Sequence, residues 1–250
     1  MSSVALRPLV IPNEHGGWGF LFEPIVLAAL AAPSLGGALV AAAAVAAFLA
    51  RHPLKLAAGD LVHGRRYPRT MACAQIAAVY ALTSLIAIAA AARMAGAAIL
   101  VPLAIAAPFG LVQLAYDARN RGRAALPELA GAVAMGGVAA SMALAAARTP
   151  AFAASLWLLA LGRSIPAILY VRALLGRGRG AIAAHVAAIV IAAWLWRASL
   201  APLAAVVAFV ILLGRALLPP SSPVPKKIGI AELFWGGGAT IATGLGYLFL

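Results

Sequence analysis

Residues 51–70, reading RHPLKLAAGDLVHGRRYPRT, gather Arg51, His52, Lys55, Asp60, His63, Arg65, Arg66 and Arg69 into one short stretch. Arginine and lysine at this density bind phosphate oxygens directly, and Asp60 among them could position or deprotonate an acceptor. If the segment is helical, Arg51, His52 and Lys55 share a face at three- and four-residue spacing, and Pro53 is a kink or a new helix start. If it is a loop, its cations orient the chain in a membrane, although Asp60 and two histidines are not required for that. A second such place is Tyr116-Asp117-Ala118-Arg119-Asn120-Arg121-Gly122-Arg123, where Asp117 is another candidate acid or base. It leads into Pro127-Glu128, a first helical turn in which a carboxylate is favoured.

Two further places hold ionisable residues inside apolar runs. Arg163 and Tyr170 are seven residues apart, hence on one helix face, with Arg172 close behind. An arginine at membrane depth calls for an anionic partner, here an acid such as Glu23 or a ligand phosphate. Asn13-Glu14-His15 precedes the first apolar block and Glu23 lies within it. Glu14 and His15 suit a helix start, whereas Glu23, flanked by Phe20, Phe22 and Pro24, needs a partner of its own. The remaining chemistry-bearing residues read as structural. His185 stands between Ala184 and Val186 as a hydrogen-bonded core residue, and Cys73 is a buried apolar side chain. No His-x-x-His or Glu-x-x-His pairing is present, nor a usable Gly-x-Ser-x-Gly or Gly-x-Gly-x-x-Gly context. No cofactor is expected.

The elements that must carry these residues follow from composition. Of 250 residues, 65% are hydrophobic and 10% charged, and mean hydropathy is +1.02. A soluble domain is about half apolar and a quarter charged, so a soluble enzyme is excluded. The 19 Lys and Arg against 6 Asp and Glu give a net charge of +13, but they interrupt apolar blocks instead of forming a solvated face, which argues against a nucleic-acid partner. A bilayer-spanning helix takes roughly 20 mostly apolar residues, and nine such blocks emerge. They run from Gly17 to Pro33, Leu35 to Ala50, Met71 to Ala92, Met94 to Ala115, Leu126 to Ala147, Phe152 to Val171, Ala181 to Trp196, Ala201 to Leu218 and Ile228 to Leu250. Their alanine and glycine content suits close helix packing, and they lack the alternation of a barrel strand.

Short connections test the count through the positive-inside bias. Alternate connections hold Arg51, Lys55, Arg65, Arg66 and Arg69; then Arg119, Arg121 and Arg123; then Arg172, Arg177 and Arg179; then Arg215, Lys226 and Lys227. The opposite ones hold Arg93, Arg148 and Arg197 singly. Fourteen against three predicts that the basic end is cytoplasmic, with a cytoplasmic N-terminus and an external C-terminus. Pro8, Pro12, Asn13, Glu14 and His15 break the apolar stretch that a cleavable signal would need. Residues 1–250 read as one domain, and the Pro/Ser-rich run from Pro219 to Pro225 as a turn between spans. The expected fold is all-α, a polytopic transmembrane bundle of about nine helices.

Two resemblances add to this. Pro12-Asn13-Glu14-His15-Gly16-Gly17-Trp18-Gly19, Arg51-His52-Pro53-Leu54-Lys55 and Gly64-Arg65-Arg66-Tyr67-Pro68-Arg69-Thr70 resemble the YwiC-like bacterial membrane proteins across most of the N-terminal half. More distantly, nine spans with long basic connections after the second and sixth resemble UbiA-type intramembrane prenyltransferases. Tyr116 with Arg119 to Arg123, then Leu126-Pro127-Glu128 and Gly131, is similar to that superfamily's fourth connection and fifth helix. Those enzymes hold magnesium on two Asp-rich motifs. Here the first is replaced by Arg51, His52, Lys55 and Gly59-Asp60, with Arg65, Arg66 and Arg69 near the basic stretch that follows, and the second by Tyr170-Val171-Arg172 through Arg179.

Carboxylates suit magnesium; the cations in their place suit phosphate. The resemblance thus implies a site formed by Glu14, His15, Arg51, His52, Lys55, Arg65, Arg66, Arg69, Tyr116, Arg119, Arg163, Tyr170 and Arg172 for a membrane lipid phosphate or isoprenoid diphosphate. Any prenyl transfer would proceed without the usual Asp–magnesium arrangement, and Asp60 and Asp117 would be its catalytic residues. The alternative is a non-catalytic scaffold or accessory subunit binding a lipid, a quinone or a membrane-protein partner.

Overall fold

The computed structural model describes residues 15–64, 67–220 and 224–250, the side chains of His15 and Gly16 excepted. Nine α-helices make up this part of the chain: α1 His15–Ala31, α2 Leu35–Val62, α3 Pro68–Ala95, α4 Leu100–Ala118, α5 Ala125–Ala145, α6 Pro150–Leu174, α7 Ala181–Arg197, α8 Leu203–Leu217 and α9 Pro225–Gly246. No strand occurs among the described residues. Five of these segments are long and apolar enough to cross a membrane, and α1, α7 and α8 are shorter apolar helices. The protein is an all-α, multi-pass membrane bundle.

Local chemistry sets the helix starts. Ser34 accepts from the Gly37 amide at 2.9 Å to open α2, and Thr149 accepts from Phe152 at 3.2 Å to open α6, each satisfying an amide that the first turn leaves bare. Pro68, Pro150 and Pro225 occupy first-turn positions of α3, α6 and α9, where the missing N–H costs nothing. Gly96, at φ +89°, separates α3 from a 3-10 turn at Ala97–Ile99 that leads into α4. Met94 therefore belongs to α3, and the fourth helix begins six residues later than the apolar pattern alone places it.

The segment from Arg51 is a larger departure. It continues α2 as helix through Val62, with Pro53 inside. A proline removes one backbone bond and bends a helix without having to end it where neighbours support the turn, and α3 packs along α2 through this region. The long basic connection is mostly helix, and Arg51, His52 and Lys55 share the face that helical spacing implies.

The core is alanine-rich and tight. Side chains such as Leu21, Val40, Ile99, Leu156 and Leu195 are fully buried, and α5 and α6 are the most buried of the long spans. Because lipid removes the hydrophobic drive between helices, polar ties matter: Ser84 donates to the Ala43 carbonyl at 2.9 Å, Ser141 to Ile99 at 2.8 Å, Trp157 to Val133 at 3.0 Å and Tyr247 to Leu200 at 3.0 Å. Helices α1 and α9 pack against each other, and α1 also packs on α5 and α6.

Candidate functional site

Five acidic side chains fall within the described residues, and each is held by arginine. Asp117 on α4, 1% exposed, receives Arg51 Nε at 2.5 Å and Nη2 at 3.2 Å in a forked pair from α2. Gln113, one turn earlier, adds to this clamp, with its amide oxygen 3.0 Å from Arg51 Nη2 and its nitrogen on the Pro127 carbonyl. Gly122 is required beside it, since a Cβ there would fall on the Asp117 carboxylate. Asp60 accepts from Thr70 at 2.8 Å and from Arg69 at 3.2 Å, tying α2 to the start of α3. Glu128, in the first turn of α5, receives Arg172 of α6 at 2.8 Å.

The fourth cluster is the deepest. Arg163 Nη2 donates to Glu23 Oε1 at 3.1 Å and to the Glu232 backbone carbonyl at 3.0 Å, and lies 3.8 Å from Glu232 Oε2. Glu232 Oε1 pairs with Arg215 of α8, whose guanidinium lies 4.1 Å from the centre of the Tyr170 ring. Residues of α1, α6, α8 and α9 are thus joined in one network of two acids and two bases, formally neutral, as burial at this depth demands. Four of its buried polar atoms make no hydrogen bond: Glu23 Oε2, Glu232 Oε2, Arg163 Nε and Arg215 Nε. Gly236 makes the network possible, because a Cβ there would overlap both Arg163 and Glu23.

A cavity of about 480 Å³ opens above this network, within the roughly 300–1,000 Å³ range of small-molecule sites. Its rim, at the basic end of the bundle, carries Arg51, Arg123, Arg172 and Arg177; its walls include Phe20, Phe48, Met135 and Ile168; its floor is Glu23, Arg163 and Glu232. Arg123 and Arg177 are exposed. A smaller cavity of about 10 Å³ lies beyond Glu23 and Arg163, bounded by Thr240 and Thr243.

Of the residues singled out from sequence, Arg51, Arg163 and Arg172 meet at this cavity. Asp117 stands behind Arg51. His52, Lys55 and Tyr116 lie on α2 and α4 outside the wall, and Arg69 and Asp60 form their own pair at the turn between α2 and α3. Arg119 is exposed and donates to the Ala115 carbonyl of its own helix at 3.1 Å. Tyr170 is buried beneath Arg215 and edge-on to His185, whose Nδ1 is 2.8 Å from the Ala181 carbonyl. Glu14, Arg65 and Arg66 lie outside the described residues, and His15 begins α1. Sequence reasoning missed Glu232 and Gln113, and counted Arg215 with a connection although it falls inside the block Ala201 to Leu218 and belongs to α8.

The N-terminal motifs and the helical bundle can be set against known families. The YwiC-like protein family matches residues 11–143, more than half of the chain. The protein belongs to the YwiC-like family. The matched region carries α1 through most of α5, and with them Glu23, Arg51, Asp60, Asp117 and Glu128. The arginines that hold Glu23 and Glu128 are contributed by α6, beyond the match. No curated protein and no solved structure matches this YwiC-like chain.

Proposed function

We propose that this YwiC-like protein binds an amphiphile with an anionic head group, an isoprenoid diphosphate or a lipid phosphate, in the cavity at the basic end of a bundle with a UbiA-like layout. The observation that carries the reading is the combination of four arginines at the rim with apolar walls below them. Arg123 and Arg177 supply exposed guanidiniums, and Arg172 presents a partly buried one beside Glu128. Such forks recognise phosphate oxygens with geometric specificity. In this reading the basic end faces the cytoplasm of a bacterial inner membrane, N-terminus inside and C-terminus outside, an orientation that the bias of cations between connections favours.

Magnesium has no part in this reading. It takes oxygen ligands, chiefly carboxylates, and among the described residues no three His, Cys, Asp or Glu side chains gather to hold an ion. Each described carboxylate is also engaged by an arginine. If prenyl transfer occurs, the rim cations stabilise the departing diphosphate. A binding role without chemistry is favoured by one observation: Asp60 and Asp117, the candidate acid–base residues, are both ion-paired and neither lines the cavity.

The deciding experiment is thermal unfolding of the purified protein with farnesyl diphosphate, geranylgeranyl diphosphate or farnesol, alongside a pyrophosphate-release assay with and without magnesium. Stabilisation by the diphosphates but not farnesol supports the head-group site, and pyrophosphate release adds catalysis. The absence of any shift with both diphosphates overturns the reading.

A further inference from the structure

Arg172 holds two loops at once. Its Nη1 donates to the Arg123 carbonyl at 3.2 Å and to Glu128 Oε2 at 2.8 Å, and its Nη2 reaches the Arg177 carbonyl at 3.5 Å. Arg123 belongs to the connection between α4 and α5 and Arg177 to the one between α6 and α7, so a single guanidinium joins two separate parts of the cavity rim. Both connections leave their helices through the same kind of turn. Gly176, at φ +69°, follows α6 with the Arg177 amide on the Arg172 carbonyl at 2.7 Å, and Asn120, at φ +56°, follows α4 with the Arg121 amide on the Tyr116 carbonyl at 2.9 Å. A left-handed residue closed by such a bond stops a helix and fixes the direction of the chain beyond it. Arg177 is thus tied to Arg172 at both its amide and its carbonyl.

Charge divides the four rim arginines into two kinds. Arg51 is matched by Asp117 and Arg172 by Glu128, whereas no carboxylate among the described residues pairs with Arg123 or Arg177, which are exposed and line the cavity. Each guanidinium is a planar fork that takes two oxygens. A terminal phosphate, in a phosphomonoester or at the end of a diphosphate, presents three free oxygens and carries about −1.5 to −2 charge at neutral pH. Two forks can share it. A phosphodiester presents two free oxygens and a single charge, enough for one.

We infer that Arg172 is a positioning residue that holds Arg123 and Arg177 ready for one terminal phosphate, and that the cavity takes a phosphomonoester or diphosphate amphiphile in preference to a phosphodiester. Because the donors of Arg172 are directed to Arg123, Arg177 and Glu128, its effect on a head group passes through the two loop arginines. Fixing their backbones before binding lowers the ordering cost that two exposed side chains otherwise incur. The inference rests on the reading that an anionic amphiphile occupies the cavity, and it adds the class of the head group. It also explains how such a site would stay clear of bulk phospholipids, most of which are diesters.

The test is calorimetric titration of the purified protein in phosphatidylcholine nanodiscs with dodecyl phosphate, methyl dodecyl phosphate and inorganic phosphate. The two esters share a tail and differ in their free oxygens. Dodecyl phosphate is expected to bind about tenfold or more tightly than the methyl diester, the scale of one charge-assisted contact. Arg123→Gln, Arg177→Gln and Arg172→Lys should each bring the two esters within about twofold of one another, the last with no change in net charge. Arg121→Gln removes an exposed cation outside the cavity wall and should keep the preference. A ratio of affinities on one folded variant is not moved by a general loss of stability, and the two loop variants carry the test should Arg172→Lys fail to fold. Equal binding of the esters by the native protein, or a preference that survives both loop variants, overturns the inference and leaves the amphiphile reading standing. A preference lost in the loop variants but kept in Arg172→Lys overturns the positioning role. Inorganic phosphate lacks the tail and should bind at least about tenfold more weakly than dodecyl phosphate; equal binding, or failure of both esters to bind, overturns the amphiphile reading itself.

Discussion

Arg163 on α6 and Glu23 on α1 meet at 3.1 Å across 140 residues of sequence, each almost wholly buried in a membrane bundle. Their contact fixes how α1 sits against α6, and Glu232 on α9 shares the same guanidinium. Removing one partner of a buried pair strands the other charge, whereas replacing both with apolar groups of similar size is far milder. Arg163→Met is expected to destabilise by about 3–5 kcal/mol. Combining it with Glu23→Leu should recover a large part of that loss, read as a coupling energy in a double-mutant cycle of unfolding in micelles. Additive losses would show that the two side chains do not act as a pair.

The three consecutive glycines of α9 make a sharper test, because each is its neighbour's control. A Cβ at Gly236 overlaps Arg163 and Glu23, while Gly237 and Gly238 face open space. Gly236→Ala should destabilise by about 1–3 kcal/mol through overpacking. Gly237→Ala and Gly238→Ala should be neutral, or stabilise by up to about 1 kcal/mol through helix propensity. Equal effects at all three positions in thermal unfolding would contradict the placement of the network beside Gly236.

The Arg51–Asp117 pair differs from the Arg69–Asp60 pair in its exposure to solvent. Asp117 and Arg51 are 1% and 23% exposed, but Arg69 is 46% exposed. Screening weakens exposed charge pairs much more than buried ones. The stability lost in Arg69→Ala should therefore decline as salt is raised, while the loss in Arg51→Ala should persist. Melting temperatures at low and high ionic strength check this. Gly122→Ala should mimic part of the Arg51→Ala loss by pressing on the Asp117 carboxylate.

How much of this was legible in the sequence depends on what kind of signal each residue gave. The nine apolar blocks correspond to the nine α-helices among the described residues, five of them long and apolar enough to cross a bilayer. Their ends were less legible, since charge marks where a helix leaves the membrane and not where it stops: Arg51 and Lys55 lie on α2, Arg172 on α6 and Arg215 on α8. Arg163 announced its need for an acid, and Glu23 is the one it found. Glu232 gave the same signal, an isolated acid in an apolar run, but stood close to Lys226 and Lys227 and was absorbed into the terminal charge pattern. Gln113 carried no charge to draw notice, and its role appears only when α2, α4 and α5 come together.

Rim arginines should separate binding from folding. Arg123 and Arg177 are exposed, so Arg123→Gln and Arg177→Gln should leave the melting temperature nearly unchanged. Affinity for farnesyl diphosphate should fall about threefold to tenfold for each, consistent with the roughly 1 kcal/mol scale of partly solvated charge contacts. Titration calorimetry at fixed salt measures this. A large loss of stability in either variant would assign these side chains to the fold instead.

Sidedness is also open to direct measurement. In a Cys73→Ala background, a cysteine at Arg123 and one at Arg148 should react with a membrane-impermeant maleimide from opposite faces of intact cells, the former only after permeabilisation. The reverse pattern would invert the orientation expected from the cation bias.

The polar network is assembled from α1, α6, α8 and α9, and this has a consequence for biogenesis. Glu23 emerges from the ribosome before Arg163 and Arg215, and Glu232 after all three. Until α9 is inserted, Arg215 lacks the carboxylate that holds it in the finished bundle. A chain interrupted before Glu232 would therefore leave the Arg215 guanidinium without its carboxylate, resting against the Tyr170 ring alone.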